Sequence, residues 1–214
     1  MGRRALPKID PAVELSTHWY RIDQLPSPGD FAALFPRSAP VEVEVGSGKG
    51  LFLAAAASQD PDANYLGIEI ADKYSRFAAS RLSKRQLTNA RMINADAQRI
   101  FREWMPSDSL RAVHVYFPDP WWKARHRKRR VMNEAFLKQI QRVLLPGATL
   151  HFWTDVQEYF QTTLEVIPAA TGLIGPFPVE EKPADHDLDY RTHFERRMRM
   201  HGEAIYRAEF RKPS

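Results

Sequence analysis

Residues 115–130 read VYFPDPWWKARHRKRR and hold most of the chain's visible chemistry. An apolar run stops at Phe117. An acid between two prolines follows (Pro118, Asp119, Pro120), then two tryptophans (Trp121, Trp122) and six cations in eight positions: Lys123, Arg125, Arg127, Lys128, Arg129 and Arg130. A carboxylate at a strand end, flat aromatic faces and a cationic arm are the parts needed to hold a base and its phosphates. The prolines fix φ and remove two amide donors, which stiffens the loop around Asp119. The tryptophans can stack on a base, a contact worth ~1–3 kcal/mol, and at least one is expected to plug the core beneath the loop. Removing the six cations from the net charge of +5 leaves −1. The basic character is therefore local, which favours a polyanionic partner over a merely high isoelectric point.

Four further acids share a rhythm. Glu44 precedes the turn Gly46-Ser47-Gly48-Lys49-Gly50, Glu69 follows it by 21 residues counted from Gly48, and Asp96 and Asp155 close later apolar runs. The glycines permit a tight turn and close approach of a ligand to the backbone. A phosphate-binding P-loop is excluded because Gly50, not Ser or Thr, follows Lys49, and a dinucleotide fingerprint is weakened by Leu51 where its third glycine belongs. Glu69 is placed to accept hydrogen bonds from both hydroxyls of a ribose, with Asp72 available to cap the next helix. Glu44 sits in a strand that reads as buried. It needs either a positive partner, such as the ammonium of a methionine-type cofactor, or exposure at the strand end. Asp96 either meets an adenine amino group or caps the helix after it. Thr192 and Glu195 have the spacing of a helix-capping box, and Arg196, Arg197 and Arg199 extend the positive surface.

The elements that must carry these groups alternate. Strands are expected over 41–45, 65–70, 90–93, 112–117, 149–154 and 204–210, and helices over 51–58, 73–85, 98–105, 133–145 and 156–167. Residues 175–193 read as a long surface loop, and residues 1–18 as a flexible, mildly basic tail before a single domain over 19–214. This alternation implies an α/β fold, a mostly parallel doubly wound sheet with helices on both faces. Ligands then bind beyond the carboxyl ends of the strands, where Gly46, Glu69, Asp96, Asp119 and Asp155 all fall. There are no cysteines, which excludes disulfides, thiolate metal sites and cysteine nucleophiles and suits a reducing cytoplasm. The seven histidines show no tight metal spacing.

EVEVGSGKG, GIEI, NADA, FPDPWWKARHRKRR, HFWTD and THFERR, in this order, resemble the bacterial tRNA (guanine-N7)-methyltransferase (TrmB) family over about residues 41–206. The resemblance implies a Rossmann-like, seven-stranded fold of the S-adenosylmethionine-dependent methyltransferases. It implies methylation of guanosine N7 at position 46, in the tRNA variable loop. It places Glu44, Gly46, Gly48, Gly50, Glu69, Asp96 and Asp119 on S-adenosylmethionine, with Asp119 as the catalytic acid. Lys123, Asp155, Thr192, His193, Phe194 and Glu195 would contact the substrate, and Arg125, His126, Arg127, Lys128, Arg129 and Arg130 the RNA. The partner implied is tRNA, with no membrane or metal, for a monomer or homodimer. Trp122 stands where many members carry histidine, and Ser47 and Lys49 also depart from the common pattern. Two other readings remain: a noncatalytic RNA-binding protein on the same fold, and an exocyclic-amine methyltransferase. The order Pro-Asp-Pro argues against the latter.

Overall fold

The structure, a computed structural model, describes residues 6–181, 190 and 192–214, with the side chains of Ala124, Arg127 and His193 outside the description. Eight strands form one sheet: β1 (Trp19–Arg21), β2 (Val41–Val45), β3 (Asn64–Ile68), β4 (Ala90–Asn94), β5 (Leu110–Tyr116), β6 (Leu144–Thr154), β7 (Ile174–Phe177) and β8 (Tyr206–Arg211). The helices are α1 (Phe31–Leu34), α2 (Leu51–Gln59), α3 (Asp72–Lys84), α4 (Ala97–Glu103), α5 (Glu134–Val143), α6 (Gln157–Ala170) and α7 (His193–Met200). The strand order is β1-β4-β3-β2-β5-β6-β8-β7. All pairings from β1 to β6 are parallel, and β8 runs antiparallel to both neighbours. The order reverses between β2 and β5, so a crevice opens beyond their carboxyl ends.

Side-chain alternation on β2 explains its sequence. Val41, Val43 and Val45 join the larger core, which also takes Phe136, Leu137 and Ile140 of α5. Glu42 and Glu44 therefore point to the other face, where α2 and α3 pack on β3 and β4. The helix α5 follows from its pattern: Phe136, Leu137, Ile140 and Val143 are buried, and Asn133 caps it by accepting the Phe136 N–H at 3.1 Å. It stops at Val143, earlier than expected, because Leu144 is already buried in β6 and pairs with Leu110 across a register shift.

Two expectations need correction. The sheet has eight strands, not seven, because three-residue β1 adds an edge beside β4. Residues 174–177 are the edge strand β7 and not loop, and an edge is where a sheet tolerates proline. Within the expected tail, the Glu14 carbonyl accepts the Ser83 hydroxyl at 2.8 Å, and His18 is buried against the Leu87 carbonyl at 3.1 Å. Residues 182–189 and 191, in the expected loop, lie outside the described residues. Among the described residues no helix is long and apolar enough to cross a membrane.

Candidate functional site

The turn after β2 is built on backbone. Gly46 and Gly48 take φ of 78° and 51°, in the left-handed region that side chains disfavour. Gly46 and Ser47 N–H groups donate to the Ile68 carbonyl at 2.8 and 3.2 Å, so the end of β3 holds the turn. Glu69, one residue on, grips it too: one carboxylate oxygen accepts the Gly48 N–H at 2.9 Å and the other the Ala71 N–H at 2.8 Å. The expected division of labour is therefore corrected. Ala71, not Asp72, occupies the cap position of α3, Asp72 is its first helical residue, and Glu69 has a structural task as well as a place at the crevice. Gly50 faces away from the crevice, and a Cβ there would lie 2.7 Å from that of Ala78, so helix packing explains this glycine.

A cleft of about 260 Å³ opens over the turn, lined by Glu44, Gly46, Ser47, Gly48, Leu51, Phe52, Tyr116 and Phe117, with Thr192, Phe194 and Arg197 closing it from α7. Glu44 is 3% exposed, and its Oε2 has no hydrogen-bond partner among the described residues. Burial pushes its carboxyl up to about 8, against a hydrogen bond from Ser47 and with help from the Glu69 charge. A buried acid with one oxygen unpartnered among the described residues, beside an open cleft, fits a ligand cation. The ammonium of S-adenosylmethionine is a group of that kind, and the carboxylate of Glu69 suits its ribose.

The cleft's far wall comes from the Thr-x-Phe-Glu-Arg segment. Thr192 caps α7 by accepting the Glu195 N–H at 2.9 Å. Phe194 packs on Phe117 at 4.8 Å between centroids, with the Arg197 guanidinium 4.5 Å above its ring. Glu195 is buried, 3.6 Å from both Arg199 and Arg207. Asp155 is half-buried. Burial raises its pKa, while its own backbone N–H and Arg197 oppose the rise and Glu203 adds to it.

Asp119 is exposed and lines a neighbouring open hollow of about 270 Å³ with Pro120, Trp121, Trp122, Lys123 and His126. Its loop is bracketed by Phe117 and Trp121, at φ of 50° and 45°. Neither tryptophan plugs the core, contrary to expectation. Trp121 is half-buried beneath Arg129, 5.1 Å from ring to guanidinium, and edge-on to His126, whereas Trp122 is 67% exposed. Lys123, Arg125, Lys128 and Arg129 are exposed. Arg130, expected on the RNA with the others, is instead buried, at 6% exposure. The side chains of Arg127 and His193 lie outside the described residues. Asp96 is exposed and caps α4 through the Gln98 N–H at 2.9 Å.

The structure thus gathers Glu44, Gly46, Gly48, Thr192 and Phe194 around one cleft and joins Glu69 to it through the Gly48 N–H. Asp119 and Lys123 stand in the adjoining hollow, and Asp96 and Asp155 flank the same strand ends without lining either space. Sequence reasoning missed Phe52, Tyr116 and Phe117 as cleft walls. An aromatic among the alanines of α2 was the available signal for Phe52.

A protein-family profile described as "Putative methyltransferase" matches residues 38–208. The tRNA (guanine-N(7)-)-methyltransferase of Rhodopirellula baltica is 46% identical over 220 residues, spanning 100% of this chain and 81% of its own length. Those of Geobacter metallireducens (31%, covering 94% and 95%) and Myxococcus xanthus (35%, covering 88% and 91%) are also similar. Among solved structures, an antibiotic related methyltransferase superposes with a TM-score of 0.61 at 15% identity, covering 85% of this chain and 92% of the other. The antibiotic-resistance methyltransferase Kmr does so with 0.58 at 18%, covering 86% and 92%. At these identities the structural likeness is one of fold.

Proposed function

The chain belongs to the tRNA (guanine-N7)-methyltransferase family, methylating guanine N7 of tRNA with S-adenosylmethionine, and we propose that its target is the variable-loop guanosine at position 46. S-adenosylmethionine supplies an electrophilic methyl group on a sulfonium. Guanine N7 offers an in-plane lone pair and loses no proton, so the reaction asks no general base of the protein. The protein's work is alignment and electrostatics in a site organised in advance.

In this reading Glu44 holds the cofactor's ammonium and Glu69 its ribose hydroxyls. Gly46 and Gly48 let it approach, and Asp96 takes the adenine amino group. Asp119 faces both cofactor and guanine, and its charge favours the cationic purine that methylation produces. Asp155 is a second acceptor for the guanine N–H donors, with Lys123 and the segment from Thr192 to Glu195 completing the substrate site. Arg125, His126, Arg127, Lys128 and Arg129 meet phosphates. Residues 19–214 act as one domain, in the cytoplasm.

The observation that carries this reading is the buried Glu44 carboxyl, whose Oε2 has no hydrogen-bond partner among the described residues, in a cleft that Thr192 and Phe194 also line. The test is methyl transfer to bulk tRNA lacking 7-methylguanosine, followed by aniline cleavage. Cleavage at the variable loop is expected, and a modified base elsewhere, or none, overturns the reading. Asp119→Asn and Asp119→Ala, if folded, should lose turnover at least ~100-fold, the scale of one lost electrostatic contact in a transition state. Near-normal turnover in both removes Asp119 from the assignment.

A further inference from the structure

The last cation of the basic run has its own job. Arg130 is 6% exposed, and its Nε donates to the Pro120 carbonyl at 2.8 Å. That bond closes the loop 120–130 at its base and holds the residue next to Asp119. The two terminal nitrogens of the same guanidinium donate to the two carboxylate oxygens of Glu158 at 3.3 and 3.2 Å, a paired geometry that fixes orientation as well as distance. The guanidinium also lies 4.5 Å over the Tyr159 ring, and the Tyr159 hydroxyl accepts the Met132 N–H at 3.2 Å. Glu158 and Tyr159 stand in the first turn of α6, three and four residues after Asp155.

One side chain therefore ties the Asp119 loop to the helix that begins beside Asp155. The loop needs such a tie. Phe117 and Trp121 both occupy the left-handed region, and strained residues of this kind persist only where their surroundings over-determine them. The Pro120 carbonyl lies between them.

We propose that Arg130, through Glu158 and the Pro120 carbonyl, is a positioning residue that sets the spacing between Asp119 and Asp155. It does not contact RNA phosphate. This deepens the reading of Asp119 and Asp155 as the guanine's two acceptors and rests on it. Lysine at 130 can reach Pro120 or Glu158 but cannot span both, and glutamine at 158 cannot accept two N–H donors on two oxygens.

The experiment compares Arg130→Lys, Glu158→Gln and Lys128→Ala with the wild-type chain on unmodified tRNA. The readouts are single-turnover rate at saturating substrates, cofactor affinity, and tRNA affinity across salt. For Arg130→Lys a rate loss of 10-fold or more is expected, for Glu158→Gln a smaller loss, with cofactor affinity and the salt slope unchanged in both. Lys128→Ala should instead lower the slope by about 0.7–0.9, the worth of one phosphate contact. A slope lowered by that amount in a fourth variant, Arg130→Gln, which unlike lysine removes the charge, makes Arg130 a phosphate contact and overturns the proposal. So does a folded Arg130→Lys with wild-type rate and only a lower melting temperature, since a merely structural role would give that result. Failure of the underlying reading shows separately, as a wild-type chain that forms no 7-methylguanosine.

Discussion

Glu42 and Glu44 lie two residues apart on the same face of β2, and their surroundings drive them in opposite directions. Burial alone would raise Glu42. His114 at 2.8 Å and Arg111 at 2.7 Å overcome it and hold the carboxyl down at about 2. Arg111 also reaches Asp60 at 2.7 Å, and the second ring nitrogen of His114 lies 2.8 Å from the Tyr116 hydroxyl. Glu44 has the burial with only a Ser47 hydrogen bond against it and the Glu69 charge adding to it, and stands near 8. A buried carboxylate is costly unless paired. The lower half of the strand meets that cost inside the protein, and the upper half, in the reading proposed above, leaves it for the cofactor's ammonium to meet. One acid is tied into the sheet and the other lines a cleft with an oxygen unpartnered among the described residues, though their residue type, strand and face are the same.

The largest effect expected from breaking this contrast is on the fold. Glu42→Gln strips His114 and Arg111 of a charge they surround, and opening a buried pair from one side costs about 3–5 kcal/mol. Urea unfolding should show that loss while cofactor affinity stays within about twofold. An unchanged midpoint would mean that the network does not hold the sheet. Glu44→Gln should do the reverse. Cofactor affinity, read by calorimetry, falls about 100-fold, or ~2.7 kcal/mol, and ligand-free stability at neutral pH does not fall. Retained affinity would remove Glu44 from the cofactor site.

Proton linkage sharpens the comparison further. The Glu44 carboxyl titrates near 8 in the folded chain, above its ordinary value of 4.5. The native state therefore carries an extra proton between these limits. Its contribution to stability is full below 4.5 and lost as pH rises through 8. A cation must displace that proton in order to bind, so cofactor affinity should weaken about tenfold, ~1.4 kcal/mol, for each unit below pH 8. Glu42, already ionised far below that range, contributes no slope there. A wild-type profile flat between pH 6 and 8, or one unchanged by Glu44→Gln, would contradict the assignment.

How much of this was legible in the sequence depends on how far apart the deciding residues stand. The alternation of β2, the glycine turn and the periodicity of α3 and α5 are local, and they were readable. So was the oddity of Glu44, an acid where a buried strand should be apolar. The contrast with Glu42 was not, because its partners stand 72 and 69 residues away and meet it only when β5 pairs with β2. Arg130 was hidden for the same reason. In one dimension it is the sixth cation of a run, and only the approach of Glu158, 28 residues on, separates it from the others. The short strand β1 and the Gly-Pro-containing β7 were hidden differently: edge strands carry little pattern of their own.

The smallest effect belongs to the groups that are charged and solvated. Lys128 is exposed and free of the burial that divides the two glutamates, so Lys128→Ala should move stability by no more than ~0.5 kcal/mol. Its signature is the salt dependence of tRNA binding. Each phosphate neutralised releases counterions, so losing one contact should lower the slope of log affinity against log salt by about 0.7–0.9 without changing the pH profile. An exposed cation loses little solvation on folding and gains a partner only on binding. Glu44 has lost its solvation before any ligand arrives. If Lys128→Ala left the slope untouched while Lys123→Ala lowered it, the phosphate-binding part of the arm would contract toward Asp119, and the outer cations would be a solvated surface.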